Sequence, residues 1–431
     1  MAPVEAGNIG SRRARWRAVG ASTSRRLPFG ALALLLGCET VSLRPAPSEP
    51  TEPAAPVATE TAAPATPPPG RVTALAVGPR SNCAILDEHE LWCWGSGDDG
   101  LLGPHPGPGP VRLLTAEGLS AVSVGGASLC FVASGEVQCL GRPQAPPDLF
   151  TGYRHPGEAR TAPEPVRGID GVRAVAVGGE ATCLLRDSGS VHCLGSPSAG
   201  GGPGASTRRT GAAIVQEARS LTASGAHACA STGDGSVWCW GSGHAGQLPG
   251  TEVRHSVEAV LLPGLADVRQ VAAAPDGSLG CALAGRGSLT CWGAAGDVWR
   301  RRGAMLGEGL VQVPEVGEPI RRVRVGALEI LTVAESGAVY RIAVTAPEQD
   351  PEGSTTTPLR ARLERPRRLA LPPAVDVGVG VAHRCALGTD RNVRCWGHRI
   401  GGRLGDGDSS DPRPVPAEEA VLVEFTEETA G

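Results

Sequence analysis

Short runs of β-branched and small apolar residues recur along the chain, and Val72–Val77, Val172–Val177, Val268–Val271 and Val323–Val325 show them most clearly. Enrichment in valine over so short a stretch predicts strands. Each of these strands leads into a segment that folds back on itself. Between Cys183 and Cys193, setting the two cysteines opposite one another places Leu184 opposite His192 and Leu185 opposite Val191, which leaves Asp187-Ser188-Gly189 as a three-residue loop. Such a loop wants a left-handed residue at its end, and glycine supplies it. Gly235, Gly287 and Gly337 fall at the same place, and a two-residue Ser134-Gly135 turn restores the pairing in a copy one residue shorter. His89 and Arg391 replace that glycine in the first and last copies, where the pattern does not fix the turn.

Counted this way, the phrase occurs seven times between Val72 and Gly405, and six copies carry a cysteine pair. The pairs are Cys83 with Cys93, Cys130 with Cys139, Cys183 with Cys193, Cys229 with Cys239, Cys281 with Cys291, and Cys385 with Cys395. In the sixth copy, VGALEILTVAESGAVYRIA, Leu331 and Arg341 take both cysteine positions. Loss of both together marks the pair as one chemical unit, of which a disulfide is the simplest. Zinc is the competing account, but its ligands come in fours at short spacings, whereas these partners are isolated in separate copies. The sixth copy is then expected to be held by packing alone. First-cysteine positions, counting Leu331, advance by 47, 53, 46, 52, 50 and 54 residues. That period suits one four-stranded propeller blade per copy. After each hairpin comes a large apolar residue, as in Trp94-Gly95, Trp240-Gly241, Trp292-Gly293 and Trp396-Gly397. Leu140, Leu194 and Ile342 replace the tryptophan elsewhere, which points to packing and not to ligand stacking.

Val-x-x-Gly-x-x-His-x-Cys-Ala-Leu, a turn, Val-x-Cys-Trp-Gly and then Gly-x-Leu-Gly resembles the repeat of the regulator of chromosome condensation family, in its cysteine-bearing bacterial form. The best copies run from Ser224 to Leu248 and from Gly380 to Gly397, while copies two, three, five and six depart from the pattern beyond the hairpin. The resemblance covers about four fifths of the chain. It implies an all-β, seven-bladed propeller over residues 71–431, in which the strand at Val72 and the region from Val421 to Phe425 meet at the closure.

Ahead of the repeats lie two other kinds of sequence. Six arginines from Arg12 to Arg26 precede an apolar run, Leu27 to Leu36, too short to span a bilayer permanently. Its end, Leu35-Leu36-Gly37-Cys38, resembles a bacterial lipobox, so residues 1–37 read as a lipoprotein signal peptide and Cys38 as the lipidated first residue of the mature chain. Residues 38–70 form a linker with nine prolines and no aromatic residue. It cannot bury enough apolar surface to order itself, and its prolines keep it extended. An exported, membrane-anchored chain would meet an oxidising compartment, where disulfides persist.

Charge narrows the partners. Removing the first 37 residues takes away six arginines and one glutamate, which leaves 34 basic against 43 acidic residues and a net charge of −9. Acidity of this size argues against nucleic acid. Every basic residue is arginine, so a lysine Schiff base is excluded. Neither cofactor nor metal is expected, and the chain is expected to be a monomer that touches the membrane only through its anchor. Gly95 to Gly100 and Gly241 to Gly246 match G-x-G-x-x-G, but no helix can follow, so they read as repeat turns. His227 and His383 stand at the repeat's own histidine position and read as structural hydrogen-bond donors. Asp406-Gly407-Asp408 reads as a solvated turn because the glutamate of a calcium loop does not follow.

The remaining candidates lie in the inter-blade insertions. Tyr153, beside Phe150, Arg154 and His155, together with Trp299, Arg300, Arg301, Arg302, Arg360, Arg362, Arg365, Arg367 and Arg368, could form a contact surface. Aromatics and arginine are the residues enriched at binding hot spots. Against this, residues 295–370 hold twelve arginines and ten acids, a balance that fits a neutralised, solvated surface better. Three function classes stay open. The leading one is a non-catalytic, lipid-tethered scaffold of the cell envelope that binds a protein or glycan. The second is a lyase or hydrolase on one propeller face, with no catalytic residues assignable, and the third is guanine-nucleotide exchange, which the family resemblance implies.

Overall fold

The computed structural model describes residues 70–96, 101–102, 108–141, 160–179, 181–195, 213–225, 227–275, 279–295, 304–306, 309–345 and 360–426. Cys38, the signal peptide, the linker, Tyr153 and Trp299 to Arg302 lie outside the described residues. The described chain forms seven antiparallel blade sheets, one per sequence copy, each built from the innermost strand outward, and a small two-stranded sheet, Ala294–Ala295 with Ala304–Met305, in the fifth-blade insertion. The innermost strands are Val72–Val77, Leu119–Val124, Val172–Val177, Ala218–Ala223, Val268–Ala273, Ile320–Val325 and Ala374–Val379. In the third blade three strands are described, and a bridge from Val191 to Val215 continues the sheet outward.

No strand is exchanged between the first and last blades. Val421–Leu422 is the outer strand of the seventh blade, paired with Val393–Gly397, so the ring closes without a shared sheet, and Val381 N–H donates to Pro79 O at 3.1 Å across the seam. Phe425 reaches over the closure and sets its ring edge-on to Trp92 and Trp94, at 6.0 and 5.8 Å between centroids. Beneath it, Val77 packs against the backbone of Gly378.

The hairpins have the register expected from the sequence. In the six cysteine-bearing blades Cys83 faces Cys93, Cys130 faces Cys139, Cys183 faces Cys193, Cys229 faces Cys239, Cys281 faces Cys291 and Cys385 faces Cys395. Leu331 faces Arg341 in the sixth blade. Arg186 N–H donates to Ser190 O, so in an alternating ladder Leu184 and His192 form the next bonded pair, and Cys183 and Cys193 a non-bonded one. Side chains approach most closely at non-bonded pairs. All six facing pairs are disulfides, each inside one blade, with Cα atoms 4.0–4.1 Å apart. The pairing of Cys130 with Cys139, of Cys281 with Cys291 and of Cys385 with Cys395 is thus the one expected from spacing, as it is in the other three blades. The two-residue Ser134-Gly135 turn has φ of 50° and 81°, and shortening the loop by one residue keeps the same parity for Cys130 and Cys139. Arg391 adopts the left-handed conformation at φ 66° that glycine takes in blades three to six, whereas the first blade places its left-handed residues earlier, at Asp87 and Glu88.

The second strand of each blade is sandwiched between two neighbouring sheets. Ser81–Leu86, Ser128–Ala133, His227–Thr232 and Glu329–Ala334 are buried at every position. Burial on both faces explains why these segments lack a polar/apolar alternation. It also explains how a chain with 3% aromatic residues fills its core, since the closely stacked sheets need small side chains such as Ala84, Ala228, Ala230 and Ala282 between them.

In the sixth blade the expectation of packing alone is incorrect. Leu331 is buried, but Arg341, at the second cysteine position, donates from Nε to Glu329 at 2.7 Å. Arg384 of the seventh blade bonds the other carboxylate oxygen of Glu329. The Glu329 side chain is only 3% exposed, so this ion pair joins two blades where a disulfide would have stapled one. Glu329→Ala strips two partly exposed guanidiniums of their charge-assisted hydrogen bonds and should cost on the order of 2 kcal/mol. On the chain-entropy estimate, Cys229→Ser with Cys239→Ser should cost somewhat under about 3 kcal/mol. Chemical denaturation checks both: a Glu329→Ala variant as stable as the wild type would show the ion pair to be incidental.

Candidate functional site: central channel and insertion face

All seven innermost strands line a cavity of about 420 Å³ on the propeller axis. These strands are sheet edges, and their unpaired backbone groups need partners. The preceding blade supplies them. Ser123 Oγ accepts from Val177 N–H at 2.9 Å, Ser220 Oγ from Val271 N–H at 3.0 Å, and Thr222 Oγ1 from Ala273 N–H at 3.1 Å. Gln270 serves both groups of Val323, donating to its carbonyl at 3.0 Å and accepting from its N–H at 3.2 Å.

Every innermost strand also carries an irregularity after its first residue, where one residue is skipped in the pairing. Such bulges re-aim the extra side chain. The skipped residues are Thr73, Ser120, Arg173, Arg219, Arg269, Arg321 and Val375, so four successive blades place an arginine there. Arg173 donates to Ala218 O at 3.0 Å and Arg321 to Ala374 O at 2.9 Å, and Arg269 donates likewise to Ile320 O. In each case the acceptor is the first residue of the next innermost strand. Sequence reasoning missed this arc, although its signal, arginine at the second strand position of copies three to six, was visible.

The opposite end of the channel belongs to a different surface. Antiparallel order puts the connections from first to second strand and from third to fourth strand on one face, and the hairpin turns on the other. The longer third-to-fourth insertions therefore all leave from one face. Several dock on the next blade: Leu404 and Gly405 pack on Trp94, Leu101 packs by Gly141, and Trp292 donates its indole N–H to Gln247 O at 3.1 Å. The tryptophan position is thus a packing position. Between the fourth and fifth blades the insertions leave a cavity of about 350 Å³ lined by Pro249, Thr251, Val253 and Met305 among others.

Of the arginine-rich contact candidates, five fall among the described residues. Arg360 bridges to Met305 of the fifth-blade insertion, and Arg362, Arg365, Arg367 and Arg368 follow along the exposed outer edge of the sixth blade. Arg367 and Arg368 pair as backbone with Arg341 and Tyr340. The structure brings these five together on one rim. Asp406 is occupied by Arg399 at 2.7 Å and Asp408 accepts from Ser410, an arrangement of a salt-bridged turn. Gly241 to Gly246 is likewise a turn, with Gly246 N–H donating to Gly243 O. Among the described residues, every carboxylate displaced from its ordinary pKa is displaced downward, as hydrogen bonds from Arg394 do to Asp390 and from Arg413 to Asp411.

Seven antiparallel blades closed into one ring make this a seven-bladed β-propeller. Residues 218–247, in the fourth blade, match the family model of the regulator of chromosome condensation (RCC1) repeat. No curated protein sequence matches it. Human WBSCR16 shares the fold, with a TM-score of 0.60 and 18% identity over 78% of this chain and 94% of that one. Yeast RCC1 (Prp20), solved with Kap60, aligns at a TM-score of 0.44 and 16% identity over 82% and 75% of the two chains. The CRINKLY WD40 ectodomain of the Arabidopsis thaliana receptor kinase ACR4 aligns at 0.46 and 18% over 81% and 99%.

The two repeat histidines are structural. His383 Nε2 lies 2.7 Å from Asn82 Oδ1 across the closure, and Asn82 in turn donates to Arg403 O at 2.9 Å. His227 Nδ1 lies 2.7 Å from Ser224 Oγ. Burial pushes His383 down to about 3, helped by the nearby Arg403 and Arg384 cations, and pushes His227 down to about 4. Unfolding frees both to protonate at their ordinary value of 6.5, so below that pH the unfolded state binds more protons and stability falls with falling pH. The loss should run from pH 6.5 down to about 4 for His227 and about 3 for His383. Thermal melts between about pH 7 and about pH 4.5 should fall more steeply for the wild type than for His227→Gln with His383→Gln; parallel slopes would contradict buried neutral imidazoles.

Proposed function

We propose that the protein is a non-catalytic binding scaffold of the bacterial cell envelope, tethered by lipid on Cys38 and engaging a protein or glycan through its insertion face. One observation carries this reading: the chain enters the ring on the face opposite the insertions. Arg71 N–H donates to Asp87 Oδ1 at 3.0 Å and Asp87 N–H returns a bond to Arg71 O at 2.9 Å, which fixes the entry beside the first hairpin turn. A tether joined at Gly70 therefore attaches to the propeller beside the first hairpin turn. Six disulfides fit an oxidising compartment, as export would require.

Binding is favoured over acid–base chemistry because, among the described residues, the shifted carboxylates are held ionised by hydrogen bonds, opposite to what a general acid needs. Metabolic labelling with a fatty-acid analogue should mark the wild type, and Cys38→Ala should remove the label and release the chain from membranes. Photo-crosslinkers placed at exposed Glu252 and Ile400, on the insertion face, should capture an envelope component that crosslinkers at Glu88 and Asp390, on the turn face, do not. Unlabelled wild type, or equal capture from both faces, would contradict the reading.

A further inference from the structure

The axial cavity is cationic in a chain whose formal net charge is −4. Among the described residues its lining contains five arginines, Arg173, Arg219, Arg269, Arg322 and Arg324, and no carboxylate. Their surroundings leave most of that charge uncompensated. Arg324 alone has a carboxylate partner, Asp376 at 2.7 Å. Arg173 and Arg269 spend donors on backbone carbonyls, which are neutral acceptors. Among the described residues Arg219 and Arg322 have neither a hydrogen bond nor an ion pair, and both are exposed towards the channel end that carries the bulges.

Holding like charges on one arc is unfavourable unless something offsets it, and each guanidinium presents several N–H donors suited to oxyanions. A concave, low-dielectric wall also concentrates the field of its charges. The arc is one-sided: the equivalent bulge positions in the seventh, first and second blades are Val375, Thr73 and Ser120. A ligand would therefore sit against blades three to six. Because blades three to five each contribute a separate guanidinium while blade six contributes two, one carboxylate would neutralise only a fraction of the arc, whereas a compact body with several charges answers it. A cavity of about 420 Å³ has room for such a small molecule.

We infer that the bulge-side mouth of the channel is a binding site for a small polyanion carrying two or more adjacent phosphoryl groups. This site lies at the opposite end of the channel from the insertion face and is independent of the partner bound there. Titration calorimetry of the full chain in detergent, at low ionic strength, tests it with tripolyphosphate, orthophosphate and citrate as probes. Tripolyphosphate should bind saturably and more tightly than either of the others, and added salt should weaken it. Arg219→Gln with Arg322→Gln removes the two channel-lining arginines that make no bond among the described residues, so the unliganded melting temperature should hold while tripolyphosphate affinity falls about tenfold or more. Arg362→Gln with Arg367→Gln, on the outer rim, should leave affinity unchanged. Absence of saturable tripolyphosphate binding, citrate binding as tightly, or affinity that survives the channel substitutions but falls with the rim ones would overturn the assignment.

Discussion

Each blade is organised by one facing pair in its central hairpin, placed where the backbone ladder makes no hydrogen bonds and side chains come closest. In six blades the pair is a disulfide; in the sixth it is Leu331 and Arg341. Because side chains alternate along a strand, fixing this pair fixes which residues of the second strand look towards the preceding blade and which towards the following one. At two seams the residue two before the first cysteine position of one blade meets the residue one before it in the next. His383 meets Asn82 in this way across the closure, and Glu329 meets Arg384 between the sixth and seventh blades. A slip of one residue would reverse these directions and bury the wrong side chains. Ring closure without an exchanged strand depends on that parity being the same in all seven copies.

The lateral contacts run in one direction around the ring. At the axis, side chains of one blade satisfy the backbone edge of the next through Ser123, Ser220, Thr222 and Gln270. Farther out, the insertion of one blade packs on the large apolar residue after the next blade's hairpin. The two kinds of contact clamp the same neighbour at its inner edge and at its third strand. They leave the two faces unequal, with insertions on one and short hairpin turns with an arginine arc on the other. The proposed partner face and the proposed anion site thus lie at opposite ends of the ring.

Much of the fold was legible because its signals are local. A loop length, a glycine and a cysteine pair lie within about eleven residues and determine a hairpin with its register. The double loss in the sixth copy identified the pair as a unit, yet what replaced it was not legible, since Glu329 finds Arg384 55 residues away. The same limit applies to Asn82 and His383, separated by 301 residues. Arg391 shows a softer failure: a non-glycine residue accepted the left-handed turn conformation that the pattern reserved for glycine. The channel arginines were visible as a column in the repeats. Their meaning was not, because a bulge redirects them and nothing in a single copy announces the bulge. The rim arginines were found from composition alone, and the structure sets Arg362, Arg365, Arg367 and Arg368 along the sixth blade's edge.

Non-reducing peptide mapping of the chain isolated from the cell envelope tests the central claim, an exported propeller stapled blade by blade, most directly. Six disulfide-linked peptides are expected, each joining cysteines nine or ten residues apart within one copy. Free thiols throughout the propeller, or cysteines linked between copies, would contradict it.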